Sequence, residues 1–224
     1  MAGDGDSGTK VLVVEDHAAL GEALVFAFGF EPDIDVVGVA ATVAAAVEMA
    51  AATRPDVVLM DVRLPDGNGI DATPRVLEVH PEAAVVVLTA HADPVFALRA
   101  AEAGASGFVP KDVRIARIVG AVRAVRAGEV AVDPTVLRSL LAQAAADGDG
   151  DGAASGAVVA PEQAGVLELL AQGMGSEGIG GKLGLGAAEA EAAVAGAVQA
   201  LGARSRLEAL VLAARRGLVR PEPV

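Results

Sequence analysis

Short runs of aliphatic and β-branched residues alternate with helical patterns over the first 128 residues. The runs are KVLVV (10–14), DVVGVA (35–40), DVVLM (56–60) and AVVVLT (84–89), with a weaker fifth, SGFV, at 106–109. Runs that are apolar at nearly every position predict strands buried on both faces. The intervening segments predict helices at about 17–28, 42–53, 69–79, 93–103 and 113–127. This alternation is typical of an α/β domain, a parallel sheet covered by helices.

The pattern changes after residue 128. Pro134 begins a predicted helix that ends near Ala146, and DGDGDGAASG (147–156) has the acidic, glycine-rich composition of a linker. Beyond Pro161 the pattern is helical throughout, at about 161–172, 176–183, 187–201 and 205–216. We therefore predict a disordered tail at 1–9, an α/β domain at 10–128, a linker at 129–156 and an all-α domain at 157–224.

Composition and charge narrow the class of protein. The chain of 224 residues contains no cysteine, which excludes disulfides and argues against redox chemistry. Without a long apolar run or a basic-then-apolar leader, we expect a cytoplasmic protein with no membrane partner. The net charge of −13 argues against general affinity for nucleic acid. Residues 157–224 hold seven acidic and six basic residues, whereas a DNA-binding domain is expected to be clearly basic.

Five side chains suited to chemistry fall at the carboxyl ends of the predicted strands. Glu15 and Asp16 follow the first strand, Asp61 follows the third, Thr89 ends the fourth and Lys111 follows the fifth. Open parallel sheets bind ligands at this edge, and clustered carboxylate oxygens favour a shared Mg²⁺. A carboxylate beside a metal and a lysine can attack phosphorus, with the hydroxyl and the ammonium holding the phosphoryl oxygens. Each residue alone could be an ordinary polar strand end, but five in order favour a site.

The segments VLVVEDH, PDVVLMDVRLPDGNGID, VVVLTAH and GASGFVPKD resemble the receiver domain of bacterial two-component response regulators, over residues 10–127. The resemblance implies a flavodoxin-like fold of five strand–helix units. It implies that Asp61 accepts a phosphoryl group from a sensor histidine kinase. It also implies that Asp16, Asp61 and the backbone carbonyl of Arg63 bind Mg²⁺, with Glu15 assisting through water.

The same resemblance implies a conformational switch. Thr89 and Phe108 match the family's switch pair, in which the hydroxyl moves to the phosphoryl group and the ring turns inward. Arg63 and His91 occupy positions that adjust the rate of dephosphorylation. Phosphorylation would then promote homodimerisation or free the C-terminal domain. We expect no enzymatic activity beyond the receiver's own phosphoryl transfer and dephosphorylation, because residues 157–224 lack His, Cys and Tyr.

Residues 158–219 resemble the four-helix LuxR-type helix-turn-helix domain at core and turn positions, including Pro161, Ile179, Leu201 and Arg206. The surface departs from that family. Its recognition helix carries a Thr-Val-Lys-x-His pattern, whereas residues 189–193 of this chain are EAEAA. The helix therefore keeps its packing face but loses the donors that contact phosphates and base edges.

Two interpretations of the C-terminal domain remain open. In the first, the protein controls transcription and contacts DNA through other cations, of which Lys182, Arg204 and Arg206 are the candidates. In the second, the protein is a phosphorylation-controlled interaction switch that no longer binds DNA. Gly178, Gly180 and Gly181 lie inside the predicted second helix, and we expect each to cost about 1 kcal/mol relative to alanine.

Overall fold

The computed structural model describes residues 8–90, 93–148 and 159–219. Six parallel strands form the main sheet in the order β2-β1-β3-β6-β7-β8. They are β1 (Thr9–Val14), β2 (Ile34–Ala40), β3 (Val57–Asp61), β6 (Ala84–Thr89), β7 (Gly107–Pro110) and β8 (Ala131–Val132). A small antiparallel ribbon, β4 (Arg63–Leu64) and β5 (Gly67–Asn68), follows β3. This topology is the flavodoxin-like arrangement that the resemblance predicted, extended by one strand.

Helices cover both faces of the sheet. The helices of this half are α1 (Ala18–Phe28), α2 (Val43–Thr53), α3 (Gly69–Val79), α4 (Pro94–Glu102), α5 (Ile115–Arg126) and α6 (Pro134–Ala146). Because side chains alternate across a strand, Val11 and Val13 pack with α1 and α5, whereas Leu12 and Val14 pack with α2 and α3. Burial on both faces explains why Val11–Val14 of β1, Val57–Met60 of β3 and Val85–Leu88 of β6 are all apolar.

The C-terminal half is helical, as predicted. It consists of α7 (Pro161–Ala171), α8 (Ser176–Leu183), α9 (Ala187–Leu201) and α10 (Arg206–Arg215). The glycines of α8 differ in their surroundings. A Cβ on Gly180 would lie 2.9 Å from the Leu185 carbonyl oxygen and 3.3 Å from the Ala190 Cβ, whereas a Cβ on Gly181 would meet nothing within 4 Å. The close approach of α8 and α9 therefore requires Gly180 but not Gly181.

Residues 131–146 correct the predicted organisation. The sequence predicts that they belong to a linker, but Ala131 and Val132 extend the sheet beside β7, and Leu140 and Ala144 of α6 are fully buried. A strand of two residues is too short to produce a period that the sequence pattern could reveal. Helix α6 begins and ends where predicted, and it is part of a core rather than a tether.

The predicted disordered tail and acidic linker lie largely outside the described residues. Thr9, which the sequence predicts to lie in the disordered tail, is the first residue of β1. Residues 1–7 of that tail, His91 and residues 149–156 of the linker lie outside the described residues. Among the residues that the structure describes, no helix is both long and apolar enough to span a bilayer.

One apolar cluster joins the two halves. It contains Phe108 of β7, Leu140 of α6, Leu167 of α7 and Leu210 of α10. Helix α10 packs mainly on α6 and also contacts α4. At its start, the Ser205 hydroxyl donates a 2.8 Å hydrogen bond to the Ala105 carbonyl oxygen. The helical half is therefore seated against α4 and α6, and its polar contacts to the receiver half are made with residues that precede β7.

Candidate functional site

The carboxyl edge of the main sheet brings three charged side chains together. Lys111, directly after β7, places its Nζ 2.6 Å from Oε2 of Glu15 and 2.7 Å from Oδ2 of Asp61. The two carboxylate side chains are 0% and 6% exposed, and Lys111 is 17% exposed. The residues meet because β1, β3, β6 and β7 are consecutive in the sheet. One ammonium therefore balances two buried carboxylates.

Asp61 is positioned by the loop that follows it. Its Oδ1 accepts a 3.3 Å hydrogen bond from the backbone N–H of Arg63. The backbone of Gly69 passes so close that a Cβ there would lie 1.9 Å from the Asp61 carbonyl oxygen, so only glycine is compatible with this packing. An open cavity of about 740 Å³ lies in front of the carboxylate, lined among others by Asp16, Asp61, Thr89, Phe96 and Lys111. A phosphoryl group has room to reach Asp61 from this side.

The acidic loop after β1 carries a group of possible metal ligands. Glu15, Asp16 and His17 offer ligand atoms that all lie within 4.8 Å of one another. Nδ1 of His17 lies 3.1 Å from Oδ1 of Asp16 and 3.6 Å from Oε1 of Glu15. Carboxylate oxygens suit a hard cation such as Mg²⁺. The group does not include Asp61, whose carboxylate faces Lys111, and it does include His17, for which the sequence pattern predicts no ligand role.

Of the two predicted switch residues, Thr89 lines the pocket and Phe108 lies in the apolar core. Thr89 ends β6 and is 4% exposed, and its carbonyl oxygen accepts a 2.7 Å hydrogen bond from the Lys111 N–H. Phe108 is 1% exposed and belongs to the apolar cluster with α4 and α6. The ring therefore already points inward, whereas the resemblance implied that it turns inward on phosphorylation.

The candidate DNA-contacting cations are unequally available. Arg204 pairs with Glu208 at 3.0 Å and donates a 2.7 Å hydrogen bond to the Glu102 carbonyl oxygen at the end of α4. Arg206 is 12% exposed and pairs with Glu191. Lys182 is exposed, and within the described ranges no acidic oxygen lies within 4 Å of its ammonium. In this arrangement, two of the three candidates are engaged inside the molecule.

The two acidic residues of α9 have structural partners. Oε2 of Glu189 accepts a 2.9 Å hydrogen bond from the Gly186 N–H and so caps the start of the helix. Glu191 accepts hydrogen bonds from Ser176 at 2.6 Å and Arg206 at 2.5 Å. Although partial burial acts to raise the pKa of the Glu191 carboxyl, these two bonds hold that pKa below its ordinary value of 4.5. The acids of the predicted recognition helix therefore stabilise contacts among α8, α9 and α10.

Comparison with known proteins decides the family. The family model for the response regulator receiver domain matches residues 11–123. The DNA-binding transcriptional activator DevR/DosR of Mycobacterium tuberculosis is 34% identical over 212 residues, which are 95% of this chain and 97% of that protein. The chain belongs to the response regulator family. The oxygen regulatory protein NreC of Staphylococcus carnosus is 26% identical over 94% of this response regulator and 99% of its own length.

Solved structures agree with this assignment. A LuxR-family response regulator from Aurantimonas sp. SI85-9A1 superposes with a TM-score of 0.57 at 34% identity, covering 61% of this chain and 98% of that one. The RcsB response regulator of Salmonella typhimurium reaches a TM-score of 0.56 over 91% of this chain and 97% of its own, and at 20% identity it supports the fold alone. The predicted family, a receiver with a LuxR-type helical region, is confirmed.

Proposed function

We propose that this response regulator controls transcription, with Asp61 as the residue that accepts a phosphoryl group from a sensor histidine kinase. The observation that carries the proposal is the Lys111 ammonium placed between the Glu15 and Asp61 carboxylates at the edge of an open pocket. An ammonium beside a carboxylate that borders an open pocket is what a developing phosphoryl charge requires.

The transfer is a displacement at phosphorus. An Asp61 carboxylate oxygen forms the new O–P bond, the P–N bond of the kinase's phosphohistidine breaks, and the histidine nitrogen leaves with the electron pair. Lys111 exchanges part of its pairing with Asp61 for the phosphoryl oxygens, and the Thr89 hydroxyl, at the neighbouring strand end, binds another of them. In this proposal the receiver catalyses only its own phosphorylation and dephosphorylation and does not act on other substrates.

Mg²⁺ fits the donor set of the pocket. We assign it to Asp16, Asp61 and the backbone carbonyl of Arg63, with Glu15 acting through water. Nδ1 of His17 lies 3.1 Å from Oδ1 of Asp16 and is therefore close enough to hydrogen-bond with that ligand. When bound, the cation neutralises negative charge on the carboxylates and the phosphoryl group. This chain's own part is to orient Asp61, through the Arg63 N–H and the packing of Gly69.

The route from Asp61 to the helical half runs through α4 and β7. Thr89 and Phe108 border this region, and Arg204 and Ser205 are bonded to the Glu102 and Ala105 carbonyl oxygens within it. A shift of α4 on phosphorylation would break these bonds and free the helix-turn-helix region or promote dimerisation. The receiver domain at 10–128 and the helix-turn-helix domain at 157–224 are the units we propose to move. The cytoplasmic location stays a prediction.

Transcription control is favoured over a purely protein-binding switch. DevR/DosR, described as a DNA-binding transcriptional activator, matches this chain over both halves rather than over the receiver alone. The acidic substitutions that suggested lost DNA binding have intramolecular roles, so they do not by themselves argue for a new function.

The phosphoacceptor is tested by incubating the parent and Asp61→Asn with acetyl phosphate and Mg²⁺ and measuring intact mass. The parent should gain one phosphoryl group and Asp61→Asn none, because an amide is not the required nucleophile. Asp112→Asn, which removes an exposed carboxylate next to Lys111, is the matched control and should label like the parent. Equal labelling of Asp61→Asn would refute the assignment.

DNA binding is tested separately, by salt titration of binding to duplex DNA with and without beryllofluoride and Mg²⁺. A transcription regulator should bind with a linear dependence of log K on log salt, whose slope counts the phosphates neutralised. Absence of binding in both states, with the helical half shown to be folded, would contradict DNA control and support the interaction switch.

A further inference from the structure

Three side chains from three helices meet at one point of the helical half. Ser176 begins α8, Glu191 lies in the first half of α9 and Arg206 begins α10. The Ser176 hydroxyl lies 2.6 Å from Oε2 of Glu191, and Nη2 of Arg206 lies 2.5 Å from Oε1 of the same carboxylate. Nη1 of Arg206 also donates to the Ser176 oxygen at 2.9 Å. The carboxylate is thus held by two donors that also contact each other.

The Arg206 guanidinium is largely buried, whereas the Glu191 carboxylate is exposed. The Arg206 side chain is 12% exposed, whereas the Glu191 side chain is 51% exposed. A guanidinium this deeply placed needs an anion beside it, because an uncompensated buried charge is costly. Rotation of Glu191 toward solvent would leave the Ser176 hydroxyl and the Arg206 guanidinium in place as an open anion site. The Glu191 carboxylate therefore occupies the place that an external anion would take.

A phosphodiester matches this site. Like a carboxylate, it carries one negative charge and presents two oxygens that a guanidinium can bind as a fork. The site lies where α8 meets α9, the two helices that correspond to the helix-turn-helix pair. We propose that Ser176 and Arg206 form a binding site for a DNA backbone phosphate, and that Glu191 occupies it until DNA displaces the carboxylate. This inference rests on the proposed control of transcription through DNA.

The receiver covers the same place. Nη2 of Arg206 lies so close to Gly128, in the turn before β8, that a Cβ on that glycine would be 2.5 Å away. A gap of about 370 Å³ between the halves is lined by both Gly128 and Glu191. A DNA strand therefore reaches Arg206 only after the halves separate, and the phosphate site becomes available when the receiver releases α10. Binding must accordingly be measured with beryllofluoride and Mg²⁺ present.

The experiment compares Glu191→Gln with Glu177→Gln in the full chain. Both variants remove one negative charge from the same helix pair, but Glu177 is exposed on α8, and within the described ranges no cation lies within 4 Å of it. Glu191→Gln should bind duplex DNA about tenfold more tightly, since a charge-assisted bond becomes available without a competitor. Its log–log salt slope should steepen by about 0.9, the contribution of one more neutralised phosphate. Glu177→Gln should keep the parent's slope.

A second substitution, Arg206→Gln, tests whether the Arg206 guanidinium is the group that binds the DNA phosphate. In an Arg206→Gln background, Glu191→Gln should no longer change affinity or slope, because the guanidinium that would bind the phosphate is gone. Circular dichroism and thermal unfolding of each variant verify that the helices remain folded. An Arg206→Lys variant in the Glu191→Gln background keeps the charge and should retain most of the added slope, which a structural role of Arg206 would not produce.

The outcomes separate this inference from the proposed function. If the parent binds DNA and Glu191→Gln binds with the same affinity and slope, the phosphate site is wrong and DNA control stands. Equal gains in Glu191→Gln and Glu177→Gln would also overturn it, since they would report only reduced general repulsion. If neither the parent nor Glu191→Gln binds DNA, both the site and DNA control are refuted. Binding by Glu191→Gln alone supports the site.

Discussion

Replacing Lys111 by methionine tests whether one ammonium holds the acidic pocket together. The substitution keeps the length of the side chain and leaves the Glu15 and Asp61 carboxylates, at 0% and 6% exposure, without their cation. Breaking a buried ion pair from one side costs about 3–5 kcal/mol. Because Lys111 is itself 17% exposed, solvent screens part of this effect, and we expect a loss of about 3 kcal/mol.

Urea unfolding in EDTA at neutral pH measures this loss. With an m-value of about 2 kcal/mol/M, the midpoint of Lys111→Met should fall by about 1.5 M. Lys10→Met is the control, since Lys10 is exposed and, within the described ranges, no acidic oxygen lies within 4 Å of its ammonium. Adding Mg²⁺ should raise the midpoint of Lys111→Met more than that of the parent, because the cation then has no ammonium to compete with. A loss no larger than that of Lys10→Met would refute the argument that Lys111 neutralises the pocket.

Two further predictions concern stability. Gly181→Ala should stabilise the protein by about 1 kcal/mol, because the new Cβ would enter open space within α8. Gly180→Ala should destabilise the protein, because its Cβ would collide with the Leu185 carbonyl oxygen. Urea unfolding measures both changes, and equal effects would contradict the packing argument. Hydrogen bonds from the Ala44 and Val43 N–H groups hold the pKa of Asp66 below its ordinary value of 3.8, so its stabilising effect is present above that pH and is lost as pH falls through the lower folded value. Thermal unfolding of Asp66→Asn from about pH 6 to about pH 2 should therefore converge on the parent at the acidic end, and a constant difference would refute this linkage.

The order of helices and strands was predictable because burial imposes a period on the sequence. Val11 to Val14 are apolar at every position, because helices cover both faces of β1. Such an uninterrupted run is typical of a buried strand, whereas a helix with one face in solvent would include polar positions. The short strand β8 was missed for the opposite reason, since two residues contain no period. The predicted linker helix α6 was correct as a helix, but its role in the core depends on α4 and α10, which lie far away in sequence.

The gathering of Glu15, Asp61, Thr89 and Lys111 at one edge was predictable, because parallel strands place their carboxyl ends at the same edge of a sheet. The sequence could not show that Lys111 bridges Glu15 and Asp61, or that the Phe108 ring is already buried, since both depend on side chains packed between separate strands. The position of the His17 ring beside the Asp16 carboxylate could not be predicted, because adjacency in sequence does not indicate which way a side chain points.

The sequence by itself determined the longer helices and strands, their order and which polar residues end the strands, because these depend on local periodicity and on chain direction. Only the tertiary structure decided what the charges do. Glu191 looked like a lost DNA contact, and the packing of three helices makes it the partner of Arg206. Arg204 looked like a free cation, and the docking of α10 bonds it to the end of α4. Electrostatic pairing acts through space over a few ångströms, so it follows from the fold and not from the order of residues along the chain.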